Sequence, residues 1–537
     1  MVQFRKNSGW DGFVMKNKTT QHFLWRFLPA AALLIWGALC LSNNLWYDEA
    51  YSASMVSLPW ERLLYITAVD DHSPFYYVLL KIFYHLFGGG TRFVGLKLMS
   101  LLFMMGYIFL GKYYVKKLFD EKVSVWFMIF SILMPIMSVQ AGNVRMYATA
   151  LFFLTLTGLS AYDIFLDQTG GKALKRKWFV FCGASICTVY CHTFALIQTF
   201  LFYLLFLGTL LYSRQRKKIK PFFISGIVVS VVFSPWLLVT LRQMLLRMRY
   251  DTGSMSEMAN MYSFMDYCKE WFSALETPIE PVVFVGMGLA IVLGYYAVDW
   301  MRANHNFAPA VGMGALGLTA LCGGLISTYL NNCFLGRYAF PGFGFLMLFY
   351  AVGMCRIGEA DREARERRQA LEAGQEQKDG INQPVRDERK KPPFPVRTSL
   401  VLAAALFCFL LQYRSELSLE YDRGLQTYEG FIDSRVTQKD VFIGPYTHTI
   451  FLNVYHPELQ YYLNGYKLYS LPFVNTEALT DYSQLDPYEN LWYICFQGGT
   501  PNELEDEYDY EEALEFHYMY YDFVIYRLEP KTIEQQQ

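Results

Sequence analysis

The chain has 537 residues, 53% of them hydrophobic and 18% aromatic, with 44 Phe, 40 Tyr and a formal net charge of −1. This is too apolar and aromatic for an ordinary soluble enzyme, and apolar windows of roughly 17–25 residues recur at the length that crosses about 30 Å of hydrocarbon. With no basic surface domain, no Walker loop and no GxGxxG behind a strand, the sequence argues against nucleic-acid partners, soluble phosphate chemistry and an ATP-driven pump.

In chain order, Arg5, Lys6, Lys16, Lys18 and Arg26 precede a first apolar span at 27–42, so the N-terminus is expected on the cytoplasmic side. No small-x-small cleavage site follows, and Gly37-Ala38-Leu39-Cys40 lacks the lipoprotein pattern, so the segment is expected to remain as a span. Asp48 and Glu49 lie where the chain emerges on the outer side, and Asp70-Asp71-His72-Ser73-Pro74 follows on that side. A carboxylate sunk into hydrocarbon costs about 3 kcal/mol or more, so acids held at this depth mark a water-filled site that uses them. Residues 75–87 are apolar but short and carry Lys81 and His85. As a full span they would turn every later basic loop outward, so an amphipathic helix in the outer interface is expected, with 58–67 as its predecessor. Gly88-Gly89-Gly90 reads as a turn.

Further spans are expected near 93–114, 122–140, 147–166, 177–191, 193–212, 221–242, 281–300, 309–330, 338–355 and 398–412, eleven in all. The basic groups Lys112 to Lys122, Lys172 to Lys177, Arg214 to Lys220 and Arg302 then fall on inside loops. The charged run 356–397 reads as a helical or disordered cytoplasmic linker. Beyond 413 the composition turns to Tyr and acidic residues, with strand-like runs at 440–443, 460–463, 491–496 and 522–526. The expected organisation is a membrane core at 1–355 with an outer loop at 43–91, the linker at 356–397, a last span at 398–412 and a small extracytoplasmic α/β domain at 413–537. The acidic stretch from Glu503 to Glu512 fits no cation loop and reads as a solvated face. Most cysteines lie within spans as apolar filler, no CxxC pair occurs, and one disulfide among Cys268, Cys333 and Cys495 is left open.

Four short segments carry a resemblance: Trp46-Tyr47-Asp48-Glu49-Ala50-Tyr51, Asp71-His72-Ser73-Pro74-Phe75-Tyr76-Tyr77, Asn143-Val144-Arg145-Met146-Tyr147 and Gly336-Arg337-Tyr338-Ala339-Phe340-Pro341. Their succession resembles membrane glycosyltransferases of the GT-C fold, in particular the bacterial branch of the protein O-mannosyltransferase and aminoarabinose-transferase superfamily (glycosyltransferase family 39), over about residues 20–415. The second segment departs from the family's acid-His-Pro-Pro, having Ser73 before Pro74. The resemblance implies transfer of a monosaccharide from a polyprenyl-phosphate donor to an acceptor on the outer face of the cell membrane, the acceptor being a protein, a lipid or a cell-wall glycan, with membrane lipids as further partners.

On this reading Asp48 matches the family's acidic position, a base able to take a proton from an acceptor hydroxyl, its bland counterpart being a helix-terminal or salt-bridged acid. Glu49, the other candidate catalytic acid, points away from Asp48 on a helix or strand and is expected to orient it or to join an ion pair. Arg145 and Arg337, with the adjacent Tyr147 and Tyr338, are candidates for holding the lipid phosphate, against the alternative of snorkelling to ordinary headgroups. Lys81 is a further donor-binding candidate, and so is His192, in the turn between spans five and six. Asp71 and His72 could ligate a divalent cation with Asp48 or Glu49, although their spacing is not diagnostic. The competing reading, a lipid or glycan transporter or flippase without transferase activity, calls for mid-membrane charges and repeated broken helices. The ionisable residues cluster instead at the outer ends, and no internal repeat is visible.

Overall fold

The computed structural model describes residues 18–70, 72–87, 92–250, 264–273, 278–329, 334–378, 395–464, 473 and 475–531. Asp71, Gly88-Gly89-Gly90, Cys333 and linker residues 379–394 lie outside the described residues. Helix α1 (Lys18–Cys40) is followed by three short helices, α2 (Tyr47–Ser57), α3 (Trp60–Val69) and α4 (Pro74–Leu86). The 13 residues of α4 reach about 20 Å, short of the hydrocarbon thickness. The helix buries Tyr76, Tyr77, Leu80 and Lys81 and exposes Ile82 and Leu86, as an interfacial element would.

After α5 (Arg92–Leu118), the predicted span at 122–140 is two helices, α6 (Glu121–Leu133) and α7 (Pro135–Gly142), bent by 70°. Pro135 lacks an N–H and forces extended backbone on Met134, so the chain restarts a helix in a new direction. There follow α8 (Tyr147–Leu166), α9 (Gly171–Val189), α10 (Thr193–Tyr212), α11 (Arg216–Tyr250), the short α12 (Phe264–Phe272), α13 (Glu280–Asn304) and α14 (Ala308–Tyr329). A 3-10 turn at Gly336–Gly342 leads into α15 (Phe343–Lys378), which runs on well past the predicted end at 355, and α16 (Val396–Glu420) outlasts its predicted end at 412. Among the described residues nine helices are long and apolar enough to cross a membrane, ten if the bent pair counts as one span. The remaining predicted span, 177–191, falls on α9, where Lys172, Lys175, Arg176 and Lys177 lower the hydropathy.

The helices pack around a large apolar core that includes Trp36, Tyr107, Phe127, Phe340 and Phe343. Helix α17 (Gly424–Arg435) opens the C-terminal domain, whose six strands are β1 (Asp440–Gly444), β2 (Gln460–Asn464), β3 (Thr476–Leu479), β4 (Asn490–Phe496), β5 (Tyr508–Tyr518) and β6 (Tyr521–Pro530). They lie in the order β3-β2-β1-β4-β6-β5, the first four parallel and the last two antiparallel additions. The four strand-like runs are β1, β2, β4 and β6. The second half of the acidic stretch, from Tyr508, opens strand β5 at the sheet edge, where exposed Asp509, Glu511, Glu512 and Glu515 discourage pairing with another chain. Cys268 and Cys495 are free thiols, because one is buried in the bundle core and the other in the sheet's own core.

A second core joins what the sequence separates. Leu45, Ala53, Tyr76 and Met99 of the membrane part pack in one cluster with Tyr428, Phe442, Phe451, Trp492, Tyr518 and Phe523 of the C-terminal domain. Helices α2 to α4 are therefore held between the helical bundle and the sheet.

Candidate active site

The first turn of α2 presents Asp48. Trp46 stands before that helix in extended conformation, and the Glu49 side chain reaches back so that Oε2 accepts the Trp46 N–H at 3.2 Å, a capping interaction that fixes the turn. The residues after α7 bring Arg145 alongside, and the 3-10 turn brings Arg337. Asp48 Oδ2 lies 3.7 Å from Arg145 Nε and 3.7 Å from Arg337 Nη2. These are ion pairs without hydrogen bonds: Asp48 Oδ2, Arg145 Nε, Arg337 Nε and the Tyr147 hydroxyl are buried and make no hydrogen bond among the described residues. Two guanidiniums around the Asp48 carboxylate, with the buried Glu270 also acting on Arg337, leave unused N–H donors of the kind an anionic ligand engages. Burial opposes the charge on Asp48, but Arg145 and Arg337, with His72 and His448 beside them, more than offset it and hold the carboxyl below its usual range.

Each arginine is braced. Arg337 lies over the Trp46 ring at 5.7 Å, and its backbone N–H donates to Glu270 Oε2 at 2.9 Å. Trp271 Nε1 donates to Gly336 O at 2.9 Å, and a β-carbon at Gly336 would collide with the Glu270 carboxylate, so glycine there lets α12 close on the turn. Arg145 Nη1 is 3.5 Å from both Asp48 O and Ser52 Oγ. His192 caps α10, its Nδ1 accepting the Phe194 N–H at 3.2 Å, and its ring packs between Tyr147 at 5.7 Å and Tyr338 at 5.1 Å. Burial and the nearby Arg145 push the His192 pKa down to about 3, so the imidazole is neutral at ordinary pH.

Other expected residues go elsewhere. Glu49 faces away from Asp48 and is 1% exposed, with Oε1 accepting the Val144 N–H at 2.8 Å. It stitches α2 to the segment that carries Arg145, and burial raises its pKa. Lys81 does not reach the Asp48 site: its ammonium donates to Val56 O at 2.9 Å and to Leu58 O, satisfying carbonyls at the C-terminal end of α2, and lies over Trp60. His72 stacks on Tyr51 with centroids 5.3 Å apart, and its Nδ1 is 3.2 Å from Asp70 Oδ2. No group of three His, Cys, Asp or Glu positioned for a metal occurs among the described residues, and Asp71 is not one of them.

Residues of the C-terminal domain also reach the site. The His448 ring stacks on Tyr47 with centroids 3.6 Å apart, Thr447 Oγ1 hydrogen-bonds the Tyr47 hydroxyl at 2.9 Å, and Tyr520 meets Trp46 edge-on at 6.2 Å. Neither these residues nor Glu270 carries a local sequence signal. Each becomes visible only when segments distant in the chain meet.

No family model and no curated protein matches the sequence. Among solved structures, the fold matches that of ArnT from Cupriavidus metallidurans without ligand at a TM-score of 0.60 and 14% identity, covering 95% of this chain and 98% of that one. It matches the same protein bound to undecaprenyl phosphate at 0.59, with the same identity and coverage. The chain therefore has the fold of ArnT, the GT-C architecture that its motifs resemble.

Proposed function

We propose that the chain is a membrane glycosyltransferase that moves a monosaccharide from a polyprenyl-phosphate donor to an acceptor hydroxyl at the end of the bundle where Asp48 lies. The observation that carries this reading is the single carboxylate between two buried guanidiniums. The GT-C fold supports it, as does the capture of undecaprenyl phosphate by ArnT. The donor's phosphate lies against Arg145 and Arg337, which leaves Asp48 free to face the acceptor. The acceptor oxygen attacks the anomeric carbon as the bond from that carbon to the phosphate oxygen breaks. Asp48 takes the hydroxyl proton, and polyprenyl phosphate departs with its new charge on the two arginines. Direct displacement inverts the anomeric configuration. Asp48 is a weak base while both cations pair with it, and phosphate binding restores its basicity by engaging them. The N-terminus then lies in the cytoplasm and the C-terminal domain outside.

The test is transfer from a panel of radiolabelled polyprenyl-phosphate sugars in membranes containing the intact chain or its Asp48→Asn variant. Product with the first and none with the second supports the reading. Folded protein that consumes no donor in the presence of protein, lipid and glycan acceptors overturns it and favours transport.

A further inference from the structure

A cavity of about 1860 Å³ opens within the same bundle and is not lined by Asp48, Arg145 or Arg337. Helix α8 starts at Tyr147 beside the arginine pair, and Tyr162 and Phe165 near its other end line the cavity; α10 starts beside His192 and ends at Tyr212, which lines it too. A helix of 20 residues spans about 30 Å, so the cavity's mouth and the Asp48 site sit at opposite ends of these helices, the cavity reaching inward as far as Thr155 and Phe202.

The walls are apolar, with Phe119, Phe206, Phe307 and Val311 among them, and Gly208 leaves open space where a β-carbon would meet nothing within 4 Å. The rim is basic. Lys177 is paired with Asp163 and Asp167, and Lys218 donates to Phe165 O, but exposed Arg214, Arg216 and Lys217 form no ion pair among the described residues. Arg216 and Lys217 stand in the first turn of α11, where the helix dipole is already positive and cations work against helix stability. An apolar chamber with unpaired cations at its mouth complements, in charge and polarity, a lipid with an anionic head.

We propose that this cavity holds one anionic glycerophospholipid from the leaflet opposite the Asp48 site. Its acyl chains lie between α8, α10 and α14, and its phosphate lies against Arg214, Arg216 and Lys217. The site is separate from the donor site and does not depend on the proposed transfer reaction.

The test is native mass spectrometry of the detergent-purified full chain, titrated with phosphatidylglycerol and with phosphatidylcholine of the same acyl chains. One phosphatidylglycerol per chain is expected to survive at a concentration at least about tenfold below that needed for phosphatidylcholine, a preference of about 1.4 kcal/mol. The triple variant R214Q/R216Q/K217Q changes only exposed side chains and is expected to lose the preference. Gly208→Leu fills the open space from a helical position and is expected to lose retention of both lipids, with circular dichroism confirming the helical fold. Equal retention of the two lipids by the intact chain, an undiminished preference in the triple variant, or full retention by folded Gly208→Leu would overturn the proposal.

Discussion

Asp48 and Glu49 are neighbours in the chain but face two differently built regions. Asp48 looks into a polar pocket whose guanidiniums sit at 3.7 Å and keep hydrogen-bonding capacity in reserve. Glu49 looks into packed protein, where both oxygens are already used by the backbone N–H groups of Trp46 and Val144, and where buried Lys97 stands nearby in an ion pair with Glu420. A carboxylate fixed by complementary donors is a structural part. One held between charges without hydrogen bonds is available for chemistry. Burial alone separates the two poorly, since both are largely enclosed, and the state of their hydrogen bonds separates them well.

The strongest way to break this contrast is to neutralise each acid in turn. Asp48→Asn is expected to lower single-turnover transfer by about 10²–10⁴, the usual contribution of a positioned base, with folding intact. Arg145→Gln or Arg337→Gln is expected to cost about 10²–10³ in turnover. Because the arginines hold the Asp48 carboxyl low, loss of either also moves the acid limb of the pH profile upward. An unmoved limb would detach the arginines from Asp48. Glu49→Gln leaves one backbone N–H facing an amide donor, so it is expected to destabilise the fold by about 1–3 kcal/mol in thermal melts, while transfer by the folded fraction falls far less than in Asp48→Asn.

His192 sharpens the comparison from the basic side. Its folded pKa of about 3 lies below the ordinary histidine value of 6.5, so the unfolded chain binds more protons between those pH values. Stability is therefore complete above pH 6.5 and falls as pH drops, by at most about 1.4 kcal/mol per pH unit. His192→Asn keeps a capping acceptor and is expected to remove that part of the slope. The smallest effect is expected for His448→Ala, which removes a ring stacked on Tyr47 worth about 0.5–1.5 kcal/mol and should lower thermal stability by about that much with transfer by the folded protein nearly unchanged.

Much of this architecture is legible from local pattern. Apolar length locates the spans, Lys81 and His85 within a short apolar run mark α4 as too short and polar for a span, and short runs of β-branched and aromatic residues mark four of the six strands. The resemblance names Asp48, Arg145 and Arg337 as candidates from separate segments, and in the structure both guanidiniums lie 3.7 Å from the Asp48 carboxylate. Lys81 reads as a donor-binding candidate because, in sequence, a lysine in a short apolar run looks the same whether it meets a phosphate or the end of a helix, as it does here. Strand β5 was hidden by its acids, which read as a solvated surface because its outer edge is one. Pro135 carried the signal for the 70° bend, but an apolar run on both sides masked it.

The attachment of the Leu45 segment to the sheet has a consequence for biosynthesis. Leu45 N–H donates to the hydroxyls of Tyr455 and Tyr518, the latter 473 positions later in the chain. At about 5–20 residues per second, the segment bearing Asp48 emerges tens of seconds before the partners that seat it are translated. During that interval the nascent loop has only the bundle to lean on, and a truncated product that ends before the sheet would carry every charged residue of the Asp48–Arg145–Arg337 cluster without the surface that holds Leu45 in place.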